Sequence, residues 1–397
     1  MAGTVKLTTG RRGKTALLLG VGYSARALIP HLKNRGYRVV GTSRDKTRCA
    51  ETAEKLGIEM VVYDGSIHDA LWDVLGAASF ILSSIPPGEA GDPFIQGLNC
   101  DFASSAPNVS WAGYLSATSV YGDRAGQWAF EDELLRPSTD RGRRRAEAEM
   151  DWIESGAPVH IFRLAGIYGP EVGGMTRNPF TRIQAGTARA VIKPGHIVNR
   201  IHVDDVAASV MASLDNPDPL RIYNIADDSP APPQDVINFA ADLIGLPRPP
   251  STRHDDPVLS DMARSFYQDC KRAATGLAKQ NLGWKPRYAN YKTGLMSVYK
   301  AQQSNSALVL LSGHVYVPAG DLHAVVAALP DHIEKTRAEP GCERFDVWQD
   351  VNDPHIFHVF ERFVSSAAFA AHKARMQGSH WAKVSASALR HYEIIGA

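Results

Sequence analysis

From Lys14 to about Leu295, short apolar runs alternate with segments of helical spacing. "TALLLG" leads into "SARALIPHLKNRG" and "YRVVGTS" into "KTRCAETAEKLG"; "EMVVYD", "SFILSS", "AGYLSAT" and "PVHIFRLAG" follow further on. Runs without polar alternation mark strands buried on both faces, as in a parallel sheet with helices on either side. The pattern predicts the α/β class with a doubly wound parallel sheet. The polar joint "YKAQQSNSA" ends this rhythm. Beyond it, "ALVLLSGHVYVPAG" predicts a strand and "DLHAVVAALPDHIEKTRAEPG" a helix kinked at Pro330. "CERFDVWQD" and "HIFHVFERF" predict two more strands, "SAAFAAHKARMQG" a helix and "LRHYEIIG" a last strand. Strand, helix, strand, strand, helix, strand is a ferredoxin-like α+β plan. Phe345 and Val347 alternating with Arg344 and Asp346 mark an antiparallel sheet with unlike faces. The expected organisation is a flexible N-terminal extension over 1–13, an α/β domain over 14–298, a linker over 299–306 and a small ferredoxin-like domain over 307–397.

Composition narrows the partners. Among 397 residues, 43 Lys and Arg balance 42 Asp and Glu, so no overall field draws the chain to nucleic acid or to an anionic membrane. Cys49, Cys100, Cys270 and Cys342 lie too far apart for a disulfide framework or a zinc knuckle, which points to a reducing compartment. The basic start before "TALLLG" is broken by Gly20, Gly22 and Ser24, with no cleavage site, and no run approaches the roughly 20 apolar residues of a membrane span. The expectation is a soluble cytoplasmic protein acting on a small molecule, with neither nucleic acid nor membrane as partner.

"LLLGVGYSARAL" places Gly20, Gly22 and Ala25 at a strand-to-helix turn in the G-x-G-x-x-G/A spacing of Rossmann-like dinucleotide sites, with Tyr23 and Ser24 at the helix start. The first glycine permits the turn, the second lets a pyrophosphate reach the backbone, and the small third residue lets helix and strand pack. The helix N-terminus then offers free N–H groups to phosphate. Where the second strand ends, Thr42, Ser43 and Arg44 offer hydroxyls and a guanidinium to a ribose 2′-phosphate, which favours NADP; Asp45 next door leaves NAD open. Asp64, ending the third strand, is placed to accept from an adenine amino group, or is an ordinary strand-end carboxylate.

Together, "GVGYSARAL", "SATSVYGD", "FRLAGIYGP" and "NRIHVDDVA" resemble an extended or atypical short-chain dehydrogenase/reductase of the NAD-dependent epimerase/dehydratase type. The resemblance implies that Gly20, Gly22, Ala25, Arg44, Asp64, Ser83 and Pro86 line the cofactor and that "GIYGP" lies beside the nicotinamide. It also implies a serine or threonine, a tyrosine and a lysine that lowers the tyrosine's pKa toward neutrality. Anchored on Glu149, the tyrosine position is Arg141 and the lysine position Arg145, and the serine position is Ala117. A guanidinium stays protonated and relays no proton. Ser116 or Thr118 serves only if the register slips by one; Thr118 is the candidate. Tyr121 and Tyr168 are substitutes without a lysine at helical spacing. Arg145 either clamps an anionic substrate or ribose, or pairs with Glu149 as Arg143 does with Glu147, on a solvated face. Adjacent strand residues point apart, so His202 and Asp205 are expected to be structural.

"AEPGCERFDVWQD", "FERF" and "AFAAHKARMQGSHW" resemble the antibiotic biosynthesis monooxygenase family over about Ala307 to Ala397. The resemblance implies dimers made by pairing sheets, a pocket for a flat aromatic or quinol, and His372 as substrate contact or proton acceptor. Eight of the 14 histidines lie here, yet their spacing gives no chelating set, and no metal site is expected. Haem degradation is not expected either, because Phe363 stands where that branch has tryptophan. The chain reads as an NADP-binding oxidoreductase fused to a monooxygenase-like domain, homodimeric through the latter. The alternatives are a non-catalytic NADP(H) sensor or scaffold, or an epimerase with displaced residues.

Overall fold

A computed structural model describes residues 14–98, 101–302 and 308–396. The extension over 1–13, Cys100 and the second half of the expected linker (303–306) lie outside the described residues. The chain divides into two compact units, 1–294 and 295–397.

In the first unit, β1 (Thr15–Leu19), β2 (Arg38–Ser43), β3 (Glu59–Val62), β4 (Ala78–Ser83), β5 (Trp111–Ala117) and β6 (Val159–Leu164) belong to one sheet. β7 (Gly166–Val172) pairs with β8 (Arg200–His202) outside it, and β9 (Ile222–Ile225) completes it. The sheet order is β9-β6-β5-β4-β1-β2-β3, and every pairing is parallel. The buried runs arise because each strand serves two cores. Ala16 and Leu18 of β1 enter one with Phe80, Trp111 and Phe162; Leu17 and Leu19 enter the other with Ile81, Tyr114 and Ile161. Phe80 stacks on Trp111 at 4.4 Å. Sequence order reverses between β1 and β4, and in open parallel sheets the crevice at such a switch is where ligands bind.

Helix α1 (Tyr23–Asn34) follows β1, and α2 (Lys46–Leu56) follows β2 with Asp45 as its N-cap, accepting from the Arg48 N–H at 2.8 Å. The arginine cluster opens α3 (Asp140–Glu154), whose N-cap Thr139 accepts from the Gly142 N–H at 3.1 Å. Gly142 separates the arginines for a reason: a Cβ there would lie 2.8 Å from the Ser119 carbonyl, so only glycine lets α3 approach the turn after β5. Helix α4 (Val203–Asp215) starts at His202.

Helix α5 (Tyr291–Gln302) continues through "YKAQ", so the segment expected as linker is helical over its first four residues. In the second unit, β10 (Val309–Tyr316), α6 (Leu322–Arg337), β11 (Cys342–Gln349), β12 (Ile356–Phe363), α7 (Ser366–Met376), α8 (His380–Val384) and β13 (Leu389–Ile395) follow. Their antiparallel order β11-β12-β10-β13 is ferredoxin-like. Helix α6 runs on through Pro330. Among the described residues, no helix is long and apolar enough to cross a membrane.

Candidate functional site

At the end of β1, Gly20 takes φ +81°, and a Cβ there would meet Ile85 Cγ2 at 2.9 Å. Its N–H donates to the Thr42 hydroxyl at 2.9 Å, which locks β1 to β2. Gly22, the N-cap of α1, has open space where a side chain would stand. Ala25 is fully buried under the helix. Across the switch point, Ser84 Oγ donates to the Gly20 carbonyl at 2.7 Å, while Ser83 Oγ is buried with no hydrogen-bond partner among the described residues. These features fit a dinucleotide: an open glycine at a helix N-terminus and an orphaned hydroxyl at the crevice.

Other candidates have local employment. Tyr23 is buried, and its hydroxyl donates to the Pro170 carbonyl at 2.8 Å, fastening "GIYGP" to α1; burial pushes its pKa up. Ser24 and Ser43 are half-buried, Arg44 and Pro86 exposed. The Asp45 carboxylate caps α2 and pairs with Arg48 at 3.5 Å. Asp64 is exposed and accepts from the Ser66 N–H at 3.0 Å, which holds its carboxyl below the usual range.

The arginine cluster does not form the expected i,i+4 pairs. Arg143 bonds Asp140 and Arg144 bonds Glu89 at 3.1 Å. Arg145 turns inward and donates to the Leu115 carbonyl at 2.8 Å, lying 5.7 Å over the Tyr114 ring. Glu149 is lost to Arg145 because Arg163 of β6 takes it first, through Nε at 3.1 Å and Nη2 at 2.8 Å. Ser116 adds a hydrogen bond to the same carboxylate. Arg141 is exposed, its guanidinium 5.5 Å over Phe266. Thr118 is half-buried in a turn with Ala117 before it. Tyr121 accepts from Arg163 at 2.9 Å and donates to Asn224 at 2.8 Å, and burial pushes it up to about 12; burial pushes Tyr168 up as well. Neither phenol has the lowered pKa that proton relay requires. Nδ1 of His202 accepts from the Asp204 N–H, while Asp205 accepts from the Arg287 and Tyr288 N–H groups, so the two make no dyad. Lys271, unforeseen from sequence, is buried with its amine on the Gly122 carbonyl at 2.7 Å and Asp269 at 3.1 Å.

The second unit holds a partly open cavity of about 170 Å³ between its sheet and helices, walled by Phe345, Phe357, Phe369 and Trp381. His372 is buried at its edge. Its Nδ1 bonds Glu339 Oε2 at 2.9 Å, and Arg375 bonds the same carboxylate. Its Nε2 lies 3.8 Å from Glu361 Oε2. Burial lowers the pKa of His372 and raises Glu361, with Glu339 adding to the latter, to about 8. His332 stacks on Trp381 at 4.4 Å. Sequence reading missed Glu361; its signal was a charged residue at an inward position of "FERF". Among the described residues, no group of three or more His, Cys, Asp or Glu could hold a metal ion.

Protein YeeZ of Escherichia coli (strain K12) is 31% identical over 260 residues, covering 61% of this chain and 87% of that protein. The chain belongs to the YeeZ family. A solved, functionally unknown conserved protein from Silicibacter pomeroyi DSS is similar to this YeeZ-family chain at 41% identity, over 72% of this chain and 99% of that one, with a TM-score of 0.67. dTDP-glucose 4,6-dehydratase from Bacillus anthracis str. Ames, solved in complex with NAD, shares the fold at 15% identity over 74% of this chain and 97% of its own, with a TM-score of 0.57. The YeeZ-like unit thus has the epimerase/dehydratase-type short-chain dehydrogenase/reductase fold. Residues 309–384 match the family model "Antibiotic biosynthesis monooxygenase", so the second unit is a domain of that family.

Proposed function

We propose that this protein is an oxidoreductase with an NADP(H)-binding first unit and an oxygenating second unit, acting on an aromatic or quinone-type small molecule. The observation that carries the reading is the aromatic-walled cavity with His372 at its edge. In the first unit, the Gly20–Gly22 turn and the α1 N-terminus hold pyrophosphate, and Ser83 supplies a hydroxyl. Ser43 and Arg44 hold the 2′-phosphate, while Asp45 spends one oxygen on capping α2. When bound, the dinucleotide supplies hydride. Arg141 and Arg145 stand in for the tyrosine and lysine, so this unit suits a quinone, whose oxygens take their protons from water. The bound state of the solved dehydratase and the epimerase from Bifidobacterium longum, in complex with NAD+ and UDP, supports a nicotinamide dinucleotide at this turn.

In the second unit, a quinol plus dioxygen gives a hydroxyquinone plus water, with electrons from the quinol. Exposed Tyr316, Trp348 and Leu389 on the opposite sheet face support pairing of two copies there. The test is oxygen uptake by the purified protein with a panel of quinols, with and without NADPH. Uptake is expected with quinol alone, and His372→Ala should cut it tenfold or more. Absence of uptake across the panel overturns the reading. Fluorescence titration should show tighter NADPH than NADH binding, and light scattering should show a dimer.

A further inference from the structure

In the first unit, the ring of His196 is buried with both nitrogens idle. The residue closes the tight turn Lys193-Pro194-Gly195-His196, in which its backbone N–H donates to the Lys193 carbonyl at 3.1 Å and Gly195 takes φ +73°. Its side chain is 2% exposed, yet neither Nδ1 nor Nε2 has a hydrogen-bond partner among the described residues. A neutral imidazole carries a donor on one nitrogen and a lone pair on the other. Burying both unpaired is strongly unfavourable, and a persistent orphan of this kind points to a ligand or a buried water.

The company of the ring decides between them. Lys193 donates to the Tyr267 carbonyl at 2.5 Å, and the Tyr267 ring lies 5.2 Å from that of His196. Lys271 is buried on the Gly122 carbonyl and Asp269, whose other oxygen accepts from Ser138 at 2.5 Å. Asp123 Oδ1 accepts from the Ala125 and Cys270 N–H groups. An ammonium has three protons to give, so these bonds leave protons on both lysines without an acceptor among the described residues. The ring N–H adds another. Such a surplus of donors calls for a ligand rich in lone pairs and negative charge.

The charges say what that ligand does on arrival. Lys193 and Lys271 are matched by Asp123 and Asp269; the Cys270 N–H and both lysines hold Asp123 below the usual carboxylate range. Burial, with the charges of Lys193, His254 and Lys271 beside it, pushes His196 down to about 4, so the ring is neutral at neutral pH. An anion entering this balanced set leaves one negative charge over, and a proton on His196 cancels it. The set lies just under the surface, since Phe266, next in the chain to Tyr267, is 57% exposed.

We propose that His196, Lys193 and Lys271 form a site for the carboxylate or phosphate group of a small molecule, and that binding this anion protonates His196. One proton passes from solvent to the imidazole; no covalent bond changes and no electron moves. The site needs neither a bound dinucleotide nor the second unit, so it stands or falls apart from hydride transfer and oxygenation.

The probes are benzoate and sulfate, whose charges stay constant between about pH 6 and about pH 8, titrated by calorimetry into the full chain in buffers of different ionisation heat. Binding should take up a proton, and affinity should fall across that range by up to about tenfold per pH unit. Tighter benzoate identifies a carboxylate ligand, tighter sulfate a phosphate. His196→Leu, which removes the orphan, should keep or raise the melting temperature and weaken binding tenfold or more. His196→Gln keeps a donor and takes no proton, so it should bind the probe without proton uptake. Lys193→Met should weaken binding several-fold. Binding without proton uptake in the unaltered protein would overturn the inference. So would affinity untouched by His196→Leu, as for an anion lodged at the N-terminus of α1, or no binding of either probe, as when a buried water satisfies the ring.

Discussion

Glu149 and Arg163 are 2% and 3% exposed, and each supplies the other's countercharge. Removing one member strands an ion in the core, which costs ~3–5 kcal/mol, whereas replacing both with apolar residues is close to neutral. Arg163→Met and Glu149→Leu should therefore each lower the denaturant midpoint sharply, and the double variant should recover most of the loss. Equal losses in single and double variants would refute the coupling. The same residues show what a sequence conceals. Helical spacing offered Arg145 as partner to Glu149, but the true partner comes from the neighbouring strand and depends on tertiary pairing. The legible trace was an arginine inside the apolar run "PVHIFRLAG", as it was a glutamate inside "FERF". A charge in a buried strand announces a partner or a ligand without naming it.

Among the elements, the glycine turn separates fold from binding. A Cβ at Gly22 meets nothing within 4 Å, whereas one at Gly20 meets Ile85 and demands positive φ. Gly22→Val should leave the circular dichroism spectrum intact and weaken NADPH tenfold or more by titration. Gly20→Val should lower the melting temperature as well. Of the first sheet, β1 to β6 were legible, and so were the four strands of the second, because burial on two faces, or on one, writes itself into apolar spacing; β9 was not foreseen. The pairing of β7 with β8 was not, since it joins segments more than 30 residues apart through backbone alone. The helix foreseen across Pro330 does run through it, as α6.

At the scale of the whole molecule, burial holds carboxyls against ionisation in both units, Asp92, Glu131 and Asp205 among them. Burial pushes Asp227 up to about 7 in the first unit and Glu361 up to about 8 in the second. Both folded pKa values lie above the unfolded ones, so the stability these groups contribute is complete below the ordinary carboxylate range. It drains away as pH climbs through about 7 for Asp227 and about 8 for Glu361. The melting temperature should fall between about pH 5 and about pH 8, and Asp227→Asn with Glu361→Gln should flatten that slope. A parallel slope in the double variant would show that other groups set it.

Helix α3 docks through Gly142 in its first turn and through Ala148, Glu149 and Trp152 in its later ones; Arg145 adds a bond to the Leu115 carbonyl, and Arg141 stands exposed. The mooring thus runs the length of the helix and leaves Arg141 off it. An exposed guanidinium can be exchanged without loosening that hold: Arg141→Tyr should leave the helix seated and the melting temperature unchanged, whereas Arg145→Ala gives up its grip on the strand before it.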